Sequence, residues 1–424
     1  MRALVVACLC VVACGDSDAA ATRDAGTEAG EAGSDAGATS GDAAERDADR
    51  DDGAPDDGAT EVDAGACEDP ADGPAPCLGD GCEVLLVASG DRHSCVVLRE
   101  GFAYCWGANE SGQLGDGTTC DRAGPVRVRG VEGALEIAAG RDRTCARLRD
   151  GTAACWGRTR LAPAALDVAG VSAIGVGDAH VCVIAEDQVR CYGASDRGQL
   201  GVVSGSASES LLDVAVPGTP RRIAVGGQHT CVRMREDEPS VACWGDDRFG
   251  QRGGGSVHAD PIAEIATPTL GAAPQSIASG RAHSCALSAG GVLHCWGDAT
   301  TGAIGLPATG LAPEPRAVAL GDAPALALAA HGDLTCLLLS GGAVACLGDD
   351  TSGQLGGADA EPGEAVVVPG VVGAVQLAPG STHVCALVGT GEVVCWGAND
   401  RGQLGRGTSS ATELPAAVTG LPET

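Results

Sequence analysis

Paired short hydrophobic runs recur along the chain from Cys95 onward. The first pair is CVVL, which begins at Cys95, and FAYC, which begins at Phe102, with REG between them. Apolar runs of this length are typical of strands, and a short loop that ends in glycine is a standard hairpin connection. The pattern predicts an antiparallel hairpin in which Cys95 lies opposite Cys105.

The same paired pattern occurs seven times before the chain ends. The first cysteines of the pairs are Cys95, Cys145, Cys182, Cys231, Cys285, Cys336 and Cys385, and the second are Cys105, Cys155, Cys191, Cys243, Cys295, Cys346 and Cys395. An aromatic or leucine residue follows each second cysteine: Trp106, Trp156, Tyr192, Trp244, Trp296, Leu347 and Trp396. A glycine comes next every time, so each repeat carries one complete structural unit.

Register predicts that each pair is a cross-strand disulfide. The loop between the runs shortens in repeat three and lengthens at Arg235–Pro239 in repeat four, yet the cysteines stay opposed. Opposed residues in an antiparallel pair are close enough for a disulfide. Each bridge closes a short loop and is expected to contribute about 2.5–3 kcal/mol on a chain-entropy estimate.

Four further cysteines precede or interrupt the first repeat: Cys67, Cys77, Cys82 and Cys120. An even number permits two more disulfides, whose pairing the sequence leaves open. Residues 67–82 are therefore interpreted as a cysteine-containing lead-in to the repeats.

Strand-rich units of this length, separated by Gly/Pro turns, predict an all-β fold, a seven-bladed β-propeller over residues 83–424 with cross-strand disulfides. The stretch Leu414–Leu421 is similar to the start of an inter-repeat segment, and Glu83–Gly90 is similar to the end of one. We therefore expect a C-terminal strand that completes the first blade and closes the ring.

The N-terminal residues predict export. Residues 1–13 contain one arginine and an apolar run, and the ending before Cys14 resembles a bacterial lipoprotein cleavage box. In that family the cysteine becomes the lipidated first residue, so we expect lipidation at Cys14 and a membrane-anchored protein of the cell envelope. Residues 14–66 hold 16 acidic residues against three arginines and no aromatic residue, which predicts a disordered acidic tether.

Charge narrows the choice of partner. The formal net charge is -30, and no lysine occurs among the 27 basic residues. A strongly acidic chain is repelled by nucleic acid, so we expect no nucleic-acid partner. The abundant cysteines, 21 in number and without any Cys-x-x-Cys spacing, also favour an oxidising compartment.

The repeats carry a family resemblance. The segments GANESGQLGDGT at Gly107, GASDRGQLG at Gly193 and GANDRGQLGRGT at Gly397 resemble the regulator-of-chromosome-condensation family, whose members are seven-bladed β-propellers. Repeat two departs from the motif and lacks Gly-Gln-Leu-Gly. The resemblance implies guanine-nucleotide exchange as an alternative function, whereas exported relatives that inhibit secreted enzymes imply protein binding at the propeller rim.

Two residue types raise alternatives to a structural role. Histidines lie two positions before five of the first cysteines, so a His-Cys-Cys metal site is conceivable, but Arg143 and Leu334 replace the histidine where both cysteines remain. We therefore expect disulfides, structural histidines and no metal. The five tryptophans could stack on sugars, but Leu347 occupies the same position, which favours packing between blades.

Neither a catalytic motif nor a phosphate-binding loop is present, so we expect no enzyme, no catalytic residue and no cofactor. His258, His294 and His331 lie outside the repeat position and would serve an alternative, a propeller lyase or hydrolase that uses the central channel. Irregular loops carry recognition more often than repeats do. The insert from Gly253 to Gln275 and the hairpin tip at Arg235 are therefore the predicted binding loops of an extracytoplasmic module for protein or glycan recognition.

Overall fold

The computed structural model describes residues 82–158, 160–202, 207–235, 241–261, 264–307, 310–320 and 324–422. The predicted signal peptide, Cys14, the acidic tether, Cys67 and Cys77 lie outside these residues. The described part is all-β, with 27 strands and no helix that could span a membrane.

The strands form seven antiparallel sheets, each built from consecutive strands in chain order. Blade 1 contains β1 Val84–Ser89, β2 His93–Leu98, β3 Ala103–Gly107 and β4 Arg122–Arg127. Blade 2 contains β5 Ala134–Ala139, β6 Arg143–Leu148, β7 Ala153–Gly157 and β8 Arg160–Ala165. Blade 3 contains β9 Val171–Val176, β10 His180–Ala185, β11 Gln188–Gly193 and β12 Ser208–Val214.

The remaining blades follow the same order. Blade 4 contains β13 Pro220–Val225, β14 His229–Met234 and β15 Val241–Gly245. Blade 5 contains β16 Pro274–Ser279, β17 His283–Ser288, β18 Leu293–Asp298 and β19 Leu311–Val318. Blade 6 contains β20 Ala325–His331, β21 Leu334–Leu339, β22 Val344–Gly348 and β23 Val366–Val367, and blade 7 contains β24 Ala374–Pro379, β25 His383–Val388, β26 Val393–Asn399 and β27 Ser410–Ala417.

The predicted register is confirmed in every blade. Cys95 pairs with Cys105 across β2 and β3, and the other six pairs have the same arrangement, with Cα atoms 4.0–4.1 Å apart. Each disulfide thus joins the two middle strands of one blade. Cys82 and Cys120 are also disulfide-bonded, which accounts for two of the four cysteines that the repeats leave over.

The first strands of the blades contact one another around the axis, and blade 1 packs against blade 7 through β1 and β24. The prediction that a C-terminal strand completes blade 1 is wrong, because β27 pairs with β26 and completes blade 7. Blade 1 already has its own outer strand, β4, on the edge of β3 that a C-terminal strand would need. The ring closes instead by packing, with Leu404 and the partly buried Val418 against Trp106.

The first strand of every blade contains a β-bulge with one extra residue, and that residue is exposed in all seven blades. The extra residues are Leu85, Leu135, Ser172, Arg221, Gln275, Leu326 and Val375. They lie toward the end of the blade that carries the hairpins between second and third strands. The four apolar ones occupy consecutive blades, from blade 6 through blade 7 and blade 1 to blade 2.

Candidate functional site

The repeated histidines join neighbouring blades. In blade 1 the Nε2 atom of His93 lies 2.8 Å from the hydroxyl oxygen of Thr144 in blade 2, and that hydroxyl donates to the carbonyl of Gln113 in blade 1. Because the hydroxyl proton is already used, the imidazole Nε2–H is the donor and Nδ1 carries no proton. The four other histidines make the same contact to the next blade: His180 to Thr230, His229 to Ser284, His283 to Thr335 and His383 to Ser94.

Burial keeps these histidines neutral. The five rings are essentially inaccessible to solvent, and this desolvation lowers the pKa of His93 and His229 to about 4 and the pKa of His180, His283 and His383 to about 3. The Nδ1 atoms of His93, His180, His229 and His383 are buried without a hydrogen-bond partner among the described residues. The prediction that they are structural hydrogen-bonders is confirmed, and the cysteines beside them are disulfide-bonded rather than free thiolates.

The tryptophans form a second set of inter-blade bonds. Each indole Nε1–H donates to the carbonyl of the glutamine in the Gly-Gln-Leu-Gly or Gly-Gln-Arg-Gly loop of the preceding blade, at 2.7–3.0 Å. All five indoles have 0% exposed surface, so they pack between blades and are closed to stacking on a sugar. The packing interpretation is confirmed.

A sequence signal for these bonds was present but missed. The repeats without a glutamine in this loop are two and five, and each precedes a repeat without tryptophan, where Tyr192 and Leu347 stand. The last loop glycine leaves room for the indole, because a Cβ atom at Gly115 would lie 2.8 Å from Trp156. The loop and the tryptophan of the next repeat are therefore one structural unit.

The turns between first and second strands meet around the axis. Gly90, Gly140, Gly177, Gly226, Gly280 and Gly380 lie so close to the next blade that an added Cβ would come within 2.1–2.7 Å of a carbonyl oxygen there. Only glycine allows this approach of backbone to backbone. The turns bring their polar side chains together at one end of the axis.

These turns and the neighbouring loops line an axial cavity of about 650 Å³. Its lining holds aspartates, arginines, serines and glycines, and no Phe, Tyr or Trp among the described residues. The cavity lies at the end of the ring that carries the Gly-Gln-Leu-Gly loops. It is the concave, polar feature on which we base the candidate site.

One wall of the cavity holds an aspartate with two donors from neighbouring blades. The Nε2 atom of His331 lies 2.9 Å from Oδ1 of Asp91, and the hydroxyl of Ser381 donates to the same oxygen at 2.6 Å. Burial opposes ionisation of Asp91, but these bonds and the charges of His331 and Arg141 outweigh it and hold the pKa of Asp91 well below its usual range. The group is a fixed carboxylate.

The adjacent aspartate has the opposite environment. Burial raises the pKa of Asp178 above its ordinary value, and the nearby charge of Asp91 adds to the effect. The Asp178 side chain makes no hydrogen bond or ion pair with any described residue. In blade 2, Oδ1 of Asp142 is buried and also lacks a partner in the described part of the chain.

The three histidines outside the repeat position have different locations. His331 reaches the axial cavity beside carboxylates, whereas His294 lies in β18 opposite Ala286 and Ala317, on the outer part of blade 5. His258 contacts the buried carboxylate of Asp247 at 2.8 Å. Sequence reasoning included His331 in its candidate set but offered no way to separate it from the other two.

The insert from Gly253 to Gln275 is folded onto blade 4. Arg252 forms a buried ion pair with Asp247 at 3.0 Å and donates to the carbonyl of Glu264, and Ala266 bridges to Cys243 where the other blades have an outer strand. Much of the insert is therefore structural, although the stretch 254–257 is exposed. The strand order puts the beginning of this insert at the cavity end, and it puts Pro274 and Gln275, which start β16, at the other end. The hairpin after Met234 is also at the other end; residues 236–240 of that hairpin lie outside the described residues.

The fold and cavity define a class of protein, a seven-bladed β-propeller with a disulfide in each blade and a polar axial cavity. Four stretches of the chain, residues 84–147, 221–251, 275–302 and 374–424, match profiles described as regulator of chromosome condensation (RCC1) repeats.

Known proteins show the same relationship at low identity. The ultraviolet-B receptor UVR8 of Arabidopsis thaliana is 27% identical over 53% of this chain and 55% of its own length. The human E3 ubiquitin-protein ligase HERC2 is 25% identical over 64% of this chain but 5% of its own length. The chain thus spans about half, or far less, of these curated relatives.

Solved structures confirm the fold. Human WBSCR16 superposes with a TM-score of 0.63 at 22% identity, covering 78% of this chain and 94% of its own. Prp20p of Saccharomyces cerevisiae, described together with its binding to Gsp1p and histones, has a TM-score of 0.63 at 18% identity and covers 81% and 90% of the two chains.

Proposed function

We propose that this chain is an extracytoplasmic recognition module that binds a protein at the end of the ring that carries the axial cavity. The observation that carries the proposal is a large concave polar cavity with carboxylates that lack partners within the described chain. Buried polar groups without partners favour a ligand that supplies the missing hydrogen bonds. A glycan is the weaker choice, because the tryptophans are buried and the described lining of the cavity has no aromatic platform.

The fold is one on which protein recognition occurs, as the described binding of yeast Prp20p to Gsp1p and histones illustrates. We do not transfer those partners. The acidic charge of this chain favours a partner with basic surface, because complementary charge accelerates association and selects against acidic competitors.

Export and anchoring are part of the same proposal. Seven disulfides within the described blades need an oxidising compartment to form and persist. We infer that Cys14 carries the lipid and that the propeller faces the periplasm or the exterior of the cell envelope.

Cys14→Ser tests the anchor. We expect the variant to lose incorporation of a labelled fatty acid and to move from the membrane fraction to the soluble fraction, because the lipidated thiol is gone. Cys8→Ser serves as the matched control and should keep both properties. Continued labelling of Cys14→Ser would refute lipidation at this cysteine.

The binding face is tested by capture with charge-reversal variants. The full chain would be exported through an oxidising compartment, immobilised, and exposed to native envelope and secreted fractions. Glu110 is an exposed residue at the cavity mouth, and Glu392 is an exposed residue at a hairpin tip on the other end. We expect one protein to be retained by the wild type and by Glu392→Lys, and to be lost with Glu110→Lys.

Two results would count against the proposal. Retention that disappears after enzymatic deglycosylation of the fractions would identify a glycan as the ligand. Loss with Glu392→Lys and retention with Glu110→Lys would assign binding to the opposite face.

A channel enzyme is the second candidate, and the position of His331 favours it. The constellation differs from a nucleophile–base pair, because Ser381 donates to Asp91 rather than to His331. A cavity-dependent turnover that is abolished in His331→Gln, with partner capture unchanged, would establish the enzyme. Guanine-nucleotide exchange has only the repeat family in its favour.

A further inference from the structure

The charges that line the axial cavity are unequal. Among the described residues of the lining, six carboxylates face three guanidinium groups and one imidazole: Asp91, Glu110, Asp142, Asp178, Asp333 and Asp349 against Arg92, Arg141, Arg281 and His331. Four blades, 1, 2, 3 and 6, contribute the aspartates at the first turns, since the repeats differ in sequence there. What matters for binding is how much of this charge is already paired.

Most of the carboxylates have partners. Asp91 is held by His331 and Ser381, Asp333 is paired with Arg281, and Glu110 lies 2.7 Å from Arg401. Asp349 accepts hydrogen bonds from Thr351 and Gln354.

Two carboxylates are left, Asp142 and Asp178. They come from the same turn in adjacent blades, and those turns are in van der Waals contact, because a Cβ atom at Gly140 would lie 2.4 Å from the carbonyl oxygen of Gly177. Neither side chain forms a hydrogen bond or ion pair with the described residues: the charges of His331, Arg141 and Arg281 act on Asp178 only from a distance, and Oδ1 of Asp142 is buried without a partner. An unsatisfied buried carboxylate oxygen is costly unless a ligand supplies a donor.

The arginines that line the cavity form no ion pair with Asp142 or Asp178. Arg92 is bonded to Asp400 and Arg281 to Asp333. Arg141 is exposed and makes no hydrogen bond or ion pair with the described residues. Its charge acts on Asp91 and Asp178 only from a distance.

We propose that the axial cavity binds a cationic side chain, a guanidinium or ammonium that a protein partner inserts between Asp142 and Asp178. This inference rests on the proposed function and names the chemistry of the partner. A guanidinium is the better fit, because its planar array of N–H donors can serve two carboxylates at once.

The size of the site favours a side chain over a bare metal ion. The cavity of about 650 Å³ is in the range of pockets for organic ligands. No cluster of three or more His, Cys, Asp or Glu side chains in the described residues has the arrangement of a metal site. A side chain presented by a partner would fill part of the cavity while its backbone remained at the mouth.

The test uses peptides rather than a captured partner, so its failure is separate from failure of the proposed function. The probe is acetyl-Gly-Arg-Gly-amide, and its control is the same peptide with citrulline, which keeps the shape and removes the charge. Isothermal titration of the full chain at low ionic strength would measure both. We expect saturable one-to-one binding of the arginine peptide and at least about tenfold weaker binding of the citrulline peptide.

The site is located by matched double variants. Asp142→Asn with Asp178→Asn should weaken arginine-peptide binding about tenfold or more, while Asp167→Asn with Glu392→Gln, which removes two exposed carboxylates at the other end, should leave it unchanged. Thermal unfolding would confirm that both double variants remain folded. Equal binding of the two peptides, or equal loss in the two double variants, would overturn the proposal, and so would absence of binding while a protein partner is still captured.

Discussion

We expect the folded propeller to lose stability steeply as the pH falls from about 7 to about 5. The cause is the five inter-blade histidines, whose pKa values burial lowers to about 3–4 from an ordinary value of 6.5. Between those values the unfolded chain binds protons that the folded chain cannot bind. The free energy of unfolding therefore decreases as pH falls, by up to about 1.4 kcal/mol per pH unit for each histidine.

Some carboxyl groups act in the opposite direction. Burial raises the pKa of Glu136, Asp178 and Asp333, so protonation of these groups as the pH falls favours the folded state. The histidines titrate earlier in the unfolded chain and dominate between about pH 5 and 6.5. The predicted loss of stability is therefore steepest within this pH range.

Denaturant unfolding at a series of pH values, with the disulfides intact, would measure the slope. His383→Gln should reduce the number of protons taken up on unfolding by about one in that window. A flat profile between pH 7 and 5 would show that the inter-blade histidines titrate normally in the folded state.

Gly90→Ala is expected to destabilise the protein by about 3 kcal/mol, because overpacking against backbone cannot be relieved by a side-chain movement. The added Cβ would lie 2.1 Å from the carbonyl oxygen of Gly140 and 2.5 Å from Cε1 of His93. The same carbonyl accepts the backbone N–H of Asp91, so moving it would also strain the turn that holds the cavity carboxylate.

Gly124→Ala is the control for this substitution. Gly124 belongs to the same blade, and nothing lies within 4 Å of an added Cβ there. We expect the free energy of unfolding to change by less than about 1 kcal/mol, with stabilisation through the unfolded chain as the favoured direction. Equal unfolding midpoints for the two variants would contradict the close approach of blades 1 and 2 at the axis.

The blade was predictable because its determinants are local. Cys95 and Cys105 are ten residues apart, and hairpin register alone brings them together. The same argument worked at Cys231 and Cys243 despite a longer hairpin. Seven copies made the architecture secure.

The cavity was not predictable in the same way. Asp91 is 240 residues from His331 and 290 from Ser381, and these residues meet only because blades 6, 7 and 1 are neighbours in the closed ring. The mode of closure was also mispredicted, since two similar segments at the ends suggested a shared strand. Packing against a complete first blade leaves no hydrogen-bonding edge for β27 to join.

The missing glutamine–tryptophan bonds have a consequence for how the ring would come apart. The blade 2–3 and blade 5–6 boundaries lack this bond in the described structure, since Tyr192 and Leu347 replace the indole. Every disulfide between paired repeat cysteines lies within a blade, so no such covalent link spans these boundaries. The blade 5–6 boundary keeps its histidine bond, from His283 to Thr335, whereas at the blade 2–3 boundary Arg143 replaces the histidine and contacts the Tyr192 ring. Local unfolding is therefore expected to begin at the blade 2–3 boundary, before any blade loses its own strands.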